Sequence, residues 1–537
     1  MSILRRATLL SLLALGLTIG PASAGFTPPA VKGTPQFVIS GHGWGHGVGM
    51  SQWGAFGYAE KGVTYDKIVT HYFPGTELDQ TTIKSIRVLL VKTPSITISS
   101  TGPWKVKDGS TAAVTIPAGK LTLNPQLTFK LPGTTELQTF AGPLVFTSQT
   151  PLVFKKAYRG TFTVTSDGKD LTLVNTLPLE QYLYAVVPSE MPKTWPAEAL
   201  KAQAVAARSY ALAQRKTTGP FDVYPDTRSQ VYGGVTSEAP AATAAVDATS
   251  GEVLTYEGKI AKTYFFSSSG GRTASSADVW KGAPVPYLAS VSDPYDTASP
   301  YHNWGPLTFT ADTLAKALKM PGRLLDVQAT INASKRVDTL RVMGAGGERD
   351  FVGNDIRTML GLRSTYFTVG VLSLDPLPSK TLAYGTPFTV TGLGRGLDDL
   401  ELEQRTAGTD AWVPNRAITP TADGSYSATM KAAGPTEYRV TIEGLSTPST
   451  QVVVAPSLTL KANRALTTLK GLVRPVLPGT TVQIQQLGRR WTTVAKVQPS
   501  RYGRFGFVPS APGGVYRARV VPGNGWAVAL TPKVSLQ

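Results

Sequence analysis

The carboxylic acid best placed for chemistry is Glu190. It lies in Val187-Pro-Ser-Glu-Met-Pro192, two residues from a proline on either side. Proline fixes φ and stiffens such a connection, here one that leaves a short apolar element (Tyr182–Val187) and leads toward a helix N-terminus. A stiff, accessible carboxyl suits a catalytic acid; a solvated surface carboxylate fits the same residue types, and the local pattern does not separate the two. A second candidate is Gly41-His-Gly-Trp-Gly-His-Gly47. Glycines at this density oppose a regular helix, so the four-residue spacing of His42 and His46 does not put both rings on one face. The chain has no cysteine to complete a metal set, and no metal and no cofactor are expected. Trp44 with a histidine can stack on a pyranose ring, or the loop can be a tight backbone crossing. No Gly-Lys-Ser/Thr follows, so it is not a phosphate loop.

The element that must position Glu190 is the helix predicted over Thr194–Lys216. Thr194 can cap it, Pro196 fits its first turn, and Glu198 suits the positive end of its dipole. Leu200, Ala204, Ala207 and Ala211 form an apolar face of small side chains. Lys201 and Arg208, seven apart, share another face. A second helix is predicted over Ala239–Thr249, ended by Gly251. Upstream, Ile86–Val91, Leu121–Leu131, Gly160–Val164 and Leu171–Val174 alternate as strands. Ser267-Ser-Ser-Gly-Gly271 reads either as small hydroxyls lining a groove or as a turn.

The last region repeats itself. Gly392 precedes Trp412 by 20 residues, as Gly471 precedes Trp491; Gly424 and Gly503 each follow their Trp by 12. Tyr438-Arg-Val440 corresponds to Tyr516-Arg-Ala518. Two strand-rich units of about 80 residues fit small immunoglobulin-like sandwiches, with Trp412 and Trp491 expected in their cores.

The 537 residues suffice for several cores, and the composition is neither that of a disordered chain nor of a multi-span membrane protein. Without cysteine there is no disulfide scaffold, thiol nucleophile or zinc ribbon. Met1–Ala24 has the charged Arg5-Arg6, an apolar run and Ala22-Ser-Ala24, the pattern of a secretory signal; the mature protein is expected outside the cytoplasm, in the periplasm or cell wall. Of the net charge of +18, twelve charges lie in residues 456–537, which hold no Asp or Glu. Outside the cytoplasm such a module would attract anionic envelope polymers; its scattered cations do not suggest nucleic acid.

Leu177-Pro-Leu-Glu-Gln-Tyr-Leu183, Val187-Pro-Ser-Glu-Met-Pro192 and Ala199-Leu-Lys-Ala-Gln-Ala-Val-Ala-Ala-Arg-Ser-Tyr-Ala211 together resemble the stage II sporulation protein D family, which includes lytic transglycosylases and LytB-type amidase enhancers. Asp226, Gln230-Val-Tyr232, Thr249-Ser-Gly-Glu-Val-Leu254 and Leu360-Gly-Leu-Arg-Ser-Thr-Tyr-Phe367 extend the likeness. Gly41–Ala55, with Gln52, and His71-Tyr-Phe-Pro-Gly75 look like the family's usual C-terminal signature, here moved to the front. The resemblance implies an exported lytic transglycosylase that cleaves the MurNAc–GlcNAc bond of peptidoglycan glycan strands and leaves a 1,6-anhydro end. Glu190 would be its acid/base, with a pKa raised by burial beside Met191, Trp195 or Tyr182. The sugar's own C6 hydroxyl is the nucleophile, so a second carboxylate is not compulsory. Lys201, Gln203, Arg208, Tyr210, Asp226, Gln230, Trp44, His46 and Gln52 are the expected substrate-binding residues. For Lys201 and Arg208 a structural polar network stays open. The enhancer branch implies a non-catalytic alternative with an amidase partner.

The expected fold is an α+β catalytic domain followed by two small all-β immunoglobulin-like modules. The expected boundaries are a signal peptide at 1–24, a catalytic domain at 25–373 and modules at 374–455 and 456–537. Within the catalytic domain, 25–79 is the moved signature, 80–176 the β-rich part and 177–373 the core.

Overall fold

The computed structural model describes residues 32–109, 113–442, 445–510 and 513–536. The expected signal segment, residues 1–24, lies outside them. The architecture is mixed: helices and mostly antiparallel sheets in one compact unit, residues 36–371, and, among the described residues, strands without helices in a second that holds residues 372–537.

Five helices of the first unit position the site: α1 (Gln52–Glu60), α2 (Tyr65–Tyr72), α3 (Leu179–Glu190), α4 (Ala197–Ala213) and α5 (Pro240–Ala248). The Ala-rich run forms α4, but the helix starts at Ala197 with Pro196 as its cap. Thr194 is absorbed by the preceding turn, closed by Trp195 N–H donating to the Pro192 carbonyl. The expected single apolar face is too modest. Leu200, Ala204, Ala207 and Ala211 join one core with α3 and the β-rich region, while Ala202, Val205 and Ala206 join another with Ile68, Val69 and Tyr72 of α2. Alanine on both sides lets a helix of good intrinsic propensity be buried between two cores.

The β-rich region is a six-stranded antiparallel sheet beside a four-stranded one. In the larger sheet Leu171–Pro178 pairs with Ser85–Thr93 and with Thr161–Ser166, then delivers the chain directly into α3. That helix does not stop at Pro188, as the sequence suggested, but runs through it to Glu190. The missing proline N–H is tolerable so close to the end, and the Ala185 carbonyl accepts from the hydroxyls of Ser189 (2.7 Å) and Ser237 (3.1 Å). Met191 ends the helix in extended backbone, as expected before Pro192, and buries its side chain.

The front segment is woven into this same unit. Met50–Ser51 pairs in parallel with Phe265–Phe266, Glu77–Gln80 pairs with Glu252–Tyr256, and Gln36–His42 pairs with Asn303–Thr310. Two glycines show why the crossing admits no side chain. Gly49 has φ +82°, and a Cβ there would sit 2.1 Å from the Tyr264 carbonyl oxygen. A Cβ on Gly54 would lie 2.0 Å from the Tyr72 hydroxyl.

In the second unit, strands Pro387–Arg395 and Ser425–Lys431 share an apolar cluster with Leu400–Thr406 and Thr436–Ile442. A separate cluster joins Ser457–Asn463 and Thr468–Arg474 to Val482–Leu487 and Gly514–Val520. The repeated tryptophans are in neither, contrary to expectation. Trp412 and Trp491 are half-buried on the outer side, covered by guanidinium groups: Arg439 and Arg405 over Trp412 (4.3 and 4.7 Å), Arg517 over Trp491 (4.3 Å). Tyr438 and Tyr516, the residues before the stacking arginines, take the core positions.

Candidate functional site

Glu190 is the last residue of α3, where the helix dipole presents its negative end. Its Oε1 accepts one hydrogen bond, from the Val231 N–H at 3.1 Å, and no cation pairs with it among the described residues. Burial pushes its carboxyl above the ordinary range, and the Val231 N–H works in the opposite sense. Its charge reaches two tyrosines. Tyr182 is fully buried and held well above the usual phenol range by burial and then by Glu190. Tyr210 is pushed up to about 12 by burial, then by Tyr264 and Glu190.

Gln52, the first residue of α1, donates from Nε2 to the Glu190 carbonyl oxygen at 3.0 Å and to Gln203 Oε1 at 3.3 Å. The moved signature therefore reaches Glu190. Gln203 is fully buried and its own Nε2 has no partner in the structure. Gln230 accepts from the Tyr182 hydroxyl (3.1 Å) and donates to the Ala207 carbonyl (3.2 Å), which fixes the loop that carries Val231. Beside α1, Trp53, Phe56 and Trp195 form a half-buried aromatic cluster with centroids 4.8 to 5.4 Å apart. Trp53 directly follows Gln52, which holds the Glu190 carbonyl, and Trp195 lies five residues after Glu190 in the chain.

Five expected site residues are engaged elsewhere. Arg208 is fully buried; it donates to both Glu180 oxygens (3.1 and 2.5 Å) and to the Glu252 carbonyl (3.0 Å), a strut joining α3, α4 and a strand. Lys201 pairs with Glu198 at 2.7 Å. Asp226 pairs with Arg228 at 2.7 Å, and its carbonyl accepts from Ser229 N–H, shaping the Val231 loop from outside. Trp44 packs edge-on against Tyr301 (4.4 Å) under the Arg363 guanidinium. His46 is half-buried; its Nδ1 accepts from Val48 N–H, and desolvation, followed by nearby Arg357, lowers its pKa to about 4.

Sequence reasoning missed the Val231 N–H, which leaves no mark on residue type, and the pairing of Trp53 and Phe56 with Trp195, which the signature Ser51-Gln-Trp-Gly54 could have flagged. It also missed a buried carboxylate pair. Asp296 accepts from the hydroxyls of Ser51 and Ser268, from the N–H groups of Ser269 and Gly270, and faces His302 Nδ1 at 3.1 Å. Of the serine run, Ser268 and Ser269 thus close a carboxylate-binding turn and line no groove. Asp293 accepts from the Tyr72 hydroxyl at 2.8 Å, its Oδ2 has no partner, and burial pushes it up to about 6.

The stage II sporulation protein family model matches residues 167–256, the stretch that contains α3, α4, α5 and Glu190. Stage II sporulation protein D of Bacillus subtilis is 31% identical over 257 residues, covering 42% of this chain and 72% of that protein. This chain belongs to the stage II sporulation protein D family. An uncharacterised protein of Brachyspira hyodysenteriae is 42% identical over 137 residues, and the amidase enhancer of B. subtilis is 42% identical over 123. The matches span 37% and 16% of those two proteins. Family membership gives the chain a cell-wall-related role. No helix among the described residues is long and apolar enough to cross a membrane.

Proposed function

We propose that the protein is an exported peptidoglycan lytic transglycosylase with Glu190 as general acid and base. The observation that carries this reading is a half-buried carboxyl at a helix C-terminus, held by one N–H and, among the described residues, unpaired with any cation. Burial raises the pKa of such a carboxyl, which favours the protonated form that donates to a leaving glycosidic oxygen. The resulting carboxylate then takes the proton of the substrate's C6 hydroxyl as that oxygen closes on C1 and forms the 1,6-anhydro ring. One carboxyl serves both transfers. Gln52 and the Val231 loop orient it, and the Trp53, Phe56 and Trp195 rings offer faces to pyranose units. The two repeated units, 374–455 and 456–537, are read as immunoglobulin-like modules that tether the enzyme to the envelope.

The experiment is digestion of purified peptidoglycan, intact and stripped of stem peptides, by the chain from Gly25 and by Glu190→Gln. Mass spectrometry should find 1,6-anhydromuramyl ends from the first only. Ends from both would move the acid elsewhere. The likeness to the amidase enhancer favours a second reading, a non-catalytic wall protein that stimulates an amidase. Ends from neither protein, with amidase stimulation intact in both, would establish that reading instead.

A further inference from the structure

The two repeated units place equivalent residues on equivalent outer faces, but the charges differ. In the first, Glu401 and Glu403 of one strand face Thr441 and Arg439 of its neighbour, and Arg405 faces Glu437. Arg439 donates to Glu403 at 2.6 Å and Arg405 to Glu437 at 2.8 Å. Three carboxylates thus meet two guanidinium groups. In the second unit the same register sets Gln483 against Arg519 and Gln485 against Arg517. The next strand adds Lys496 opposite Gln483, where the first unit has Ala417 opposite Glu401. Every carboxylate of the face has become uncharged: Glu401 and Glu403 correspond to the two glutamines, Glu437 to Val515.

The glutamines do more than remove charge. Gln485 Oε1 accepts from Arg517 Nε at 2.8 Å and Gln483 Oε1 from Arg519 Nη1 at 3.0 Å. The Gln485 amide oxygen orients Arg517 as Glu403 orients Arg439, and Gln483 does the same for Arg519, without neutralising either guanidinium. Trp491 braces Arg517 from the side. No cation of residues 456–536 pairs with a carboxylate among the described residues, and on the other sheet Lys461 stands directly opposite Lys470. Like charges so opposed cost stability, which an anionic partner would recover.

We propose that the face formed by Lys496, Arg517 and Arg519 binds an anionic cell-wall polymer whose charges are phosphate diesters. Arg517 and Arg519 are two residues apart on one strand, about 7 Å, and Lys496 lies two strands away, about 10 Å. That spacing suits one charge per repeat of a polyol or sugar phosphate chain, and the guanidinium fork matches phosphate oxygens. The proposal is independent of the chemistry assigned to Glu190.

The test is co-sedimentation of the full chain carrying Glu190→Gln, which keeps the sacculi intact, with wall sacculi that bear phosphodiester polymers and with sacculi stripped of them. Free poly(glycerol phosphate) serves as competitor and duplex DNA of equal charge as comparator. Adding Gln483→Glu and Gln485→Glu restores the two strand carboxylates that the first unit carries at these positions, and should weaken retention about tenfold at moderate salt. Lys496→Gln with Arg519→Gln should do the same by another route, and serves should the glutamate pair lower the melting temperature. Equal retention on stripped sacculi would overturn the proposal. So would undiminished retention of both folded variants, or stronger competition by DNA than by poly(glycerol phosphate).

Discussion

Glu190 is half-buried and Arg208 fully buried, and their partners assign these two ionisable residues opposite tasks. Arg208 meets both oxygens of Glu180 and a backbone carbonyl, so its charge is spent on holding elements together. Replacing it by Met should cost on the order of 3 kcal/mol of stability, because Glu180 loses its partner. Urea unfolding measures this, and the anhydro products of the folded fraction should be unchanged. A variant as stable as the parent that has lost glycan binding would return Arg208 to the substrate site. Glu190 meets only one N–H, and burial raises its pKa above 4.5. The protonated form must donate first, and its fraction falls as pH rises through the raised pKa. The rate of anhydro-end release should therefore decline on the alkaline side, with an inflection above the normal glutamate range. A rate that climbs steadily to about pH 8 would contradict this assignment.

The start of α1 rests on charge that the sequence did not advertise. Ser51 caps the helix by accepting from Gly54 N–H and donates to Asp296, while Asp293 lies so close under Gly54 that a Cβ there would meet its Oδ2 at 2.3 Å. Asp293 titrates near 6 in the folded chain against 3.8 when exposed. The folded state thus holds the extra proton between these values, so the contribution of Asp293 to stability is fully present below about pH 4 and is lost as pH rises to about 6, on the order of 3 kcal/mol. Asp293→Asn keeps an acceptor for Tyr72 and should abolish that slope and melt higher than the parent at neutral pH. A slope unchanged in the variant would show that another group titrates. The alanine spacing of α4 and the glycine density of the crossing were legible because they follow from backbone geometry. The carboxylate pair was not, since Asp293 and Asp296 lie more than 200 residues from the helix they support. Nor was the outward position of Trp412 and Trp491, where an arginine cover substitutes for a core.

Over the whole of residues 36–371, the order of the segments matters less than the closure of the sheet they share. Gln36–His42 neighbours Phe367–Leu374, with His42 N–H donating to the Tyr366 carbonyl at 2.7 Å, and further along Ser40 O accepts from Thr368. The two strands run antiparallel, so the unit begins beside where it ends. A signature that resembles a C-terminal one can then stand first and still deliver Gln52 to Glu190, because permutation is tolerated where termini are adjacent. Two chains separate position from presence. Residues 81–371 alone would leave Ala202, Val205 and Ala206 of α4 without their cover and strand Glu252–Tyr256 without Glu77–Gln80, and should be protease-sensitive and aggregate. Residues 81–371 followed by a glycine linker of about four residues and then 36–80 need only a hairpin-length connection. That permuted chain should melt cooperatively and release the same anhydro ends as the parent unit. If it unfolds while the native order folds, the adjacency of the two ends is not what made the rearrangement possible.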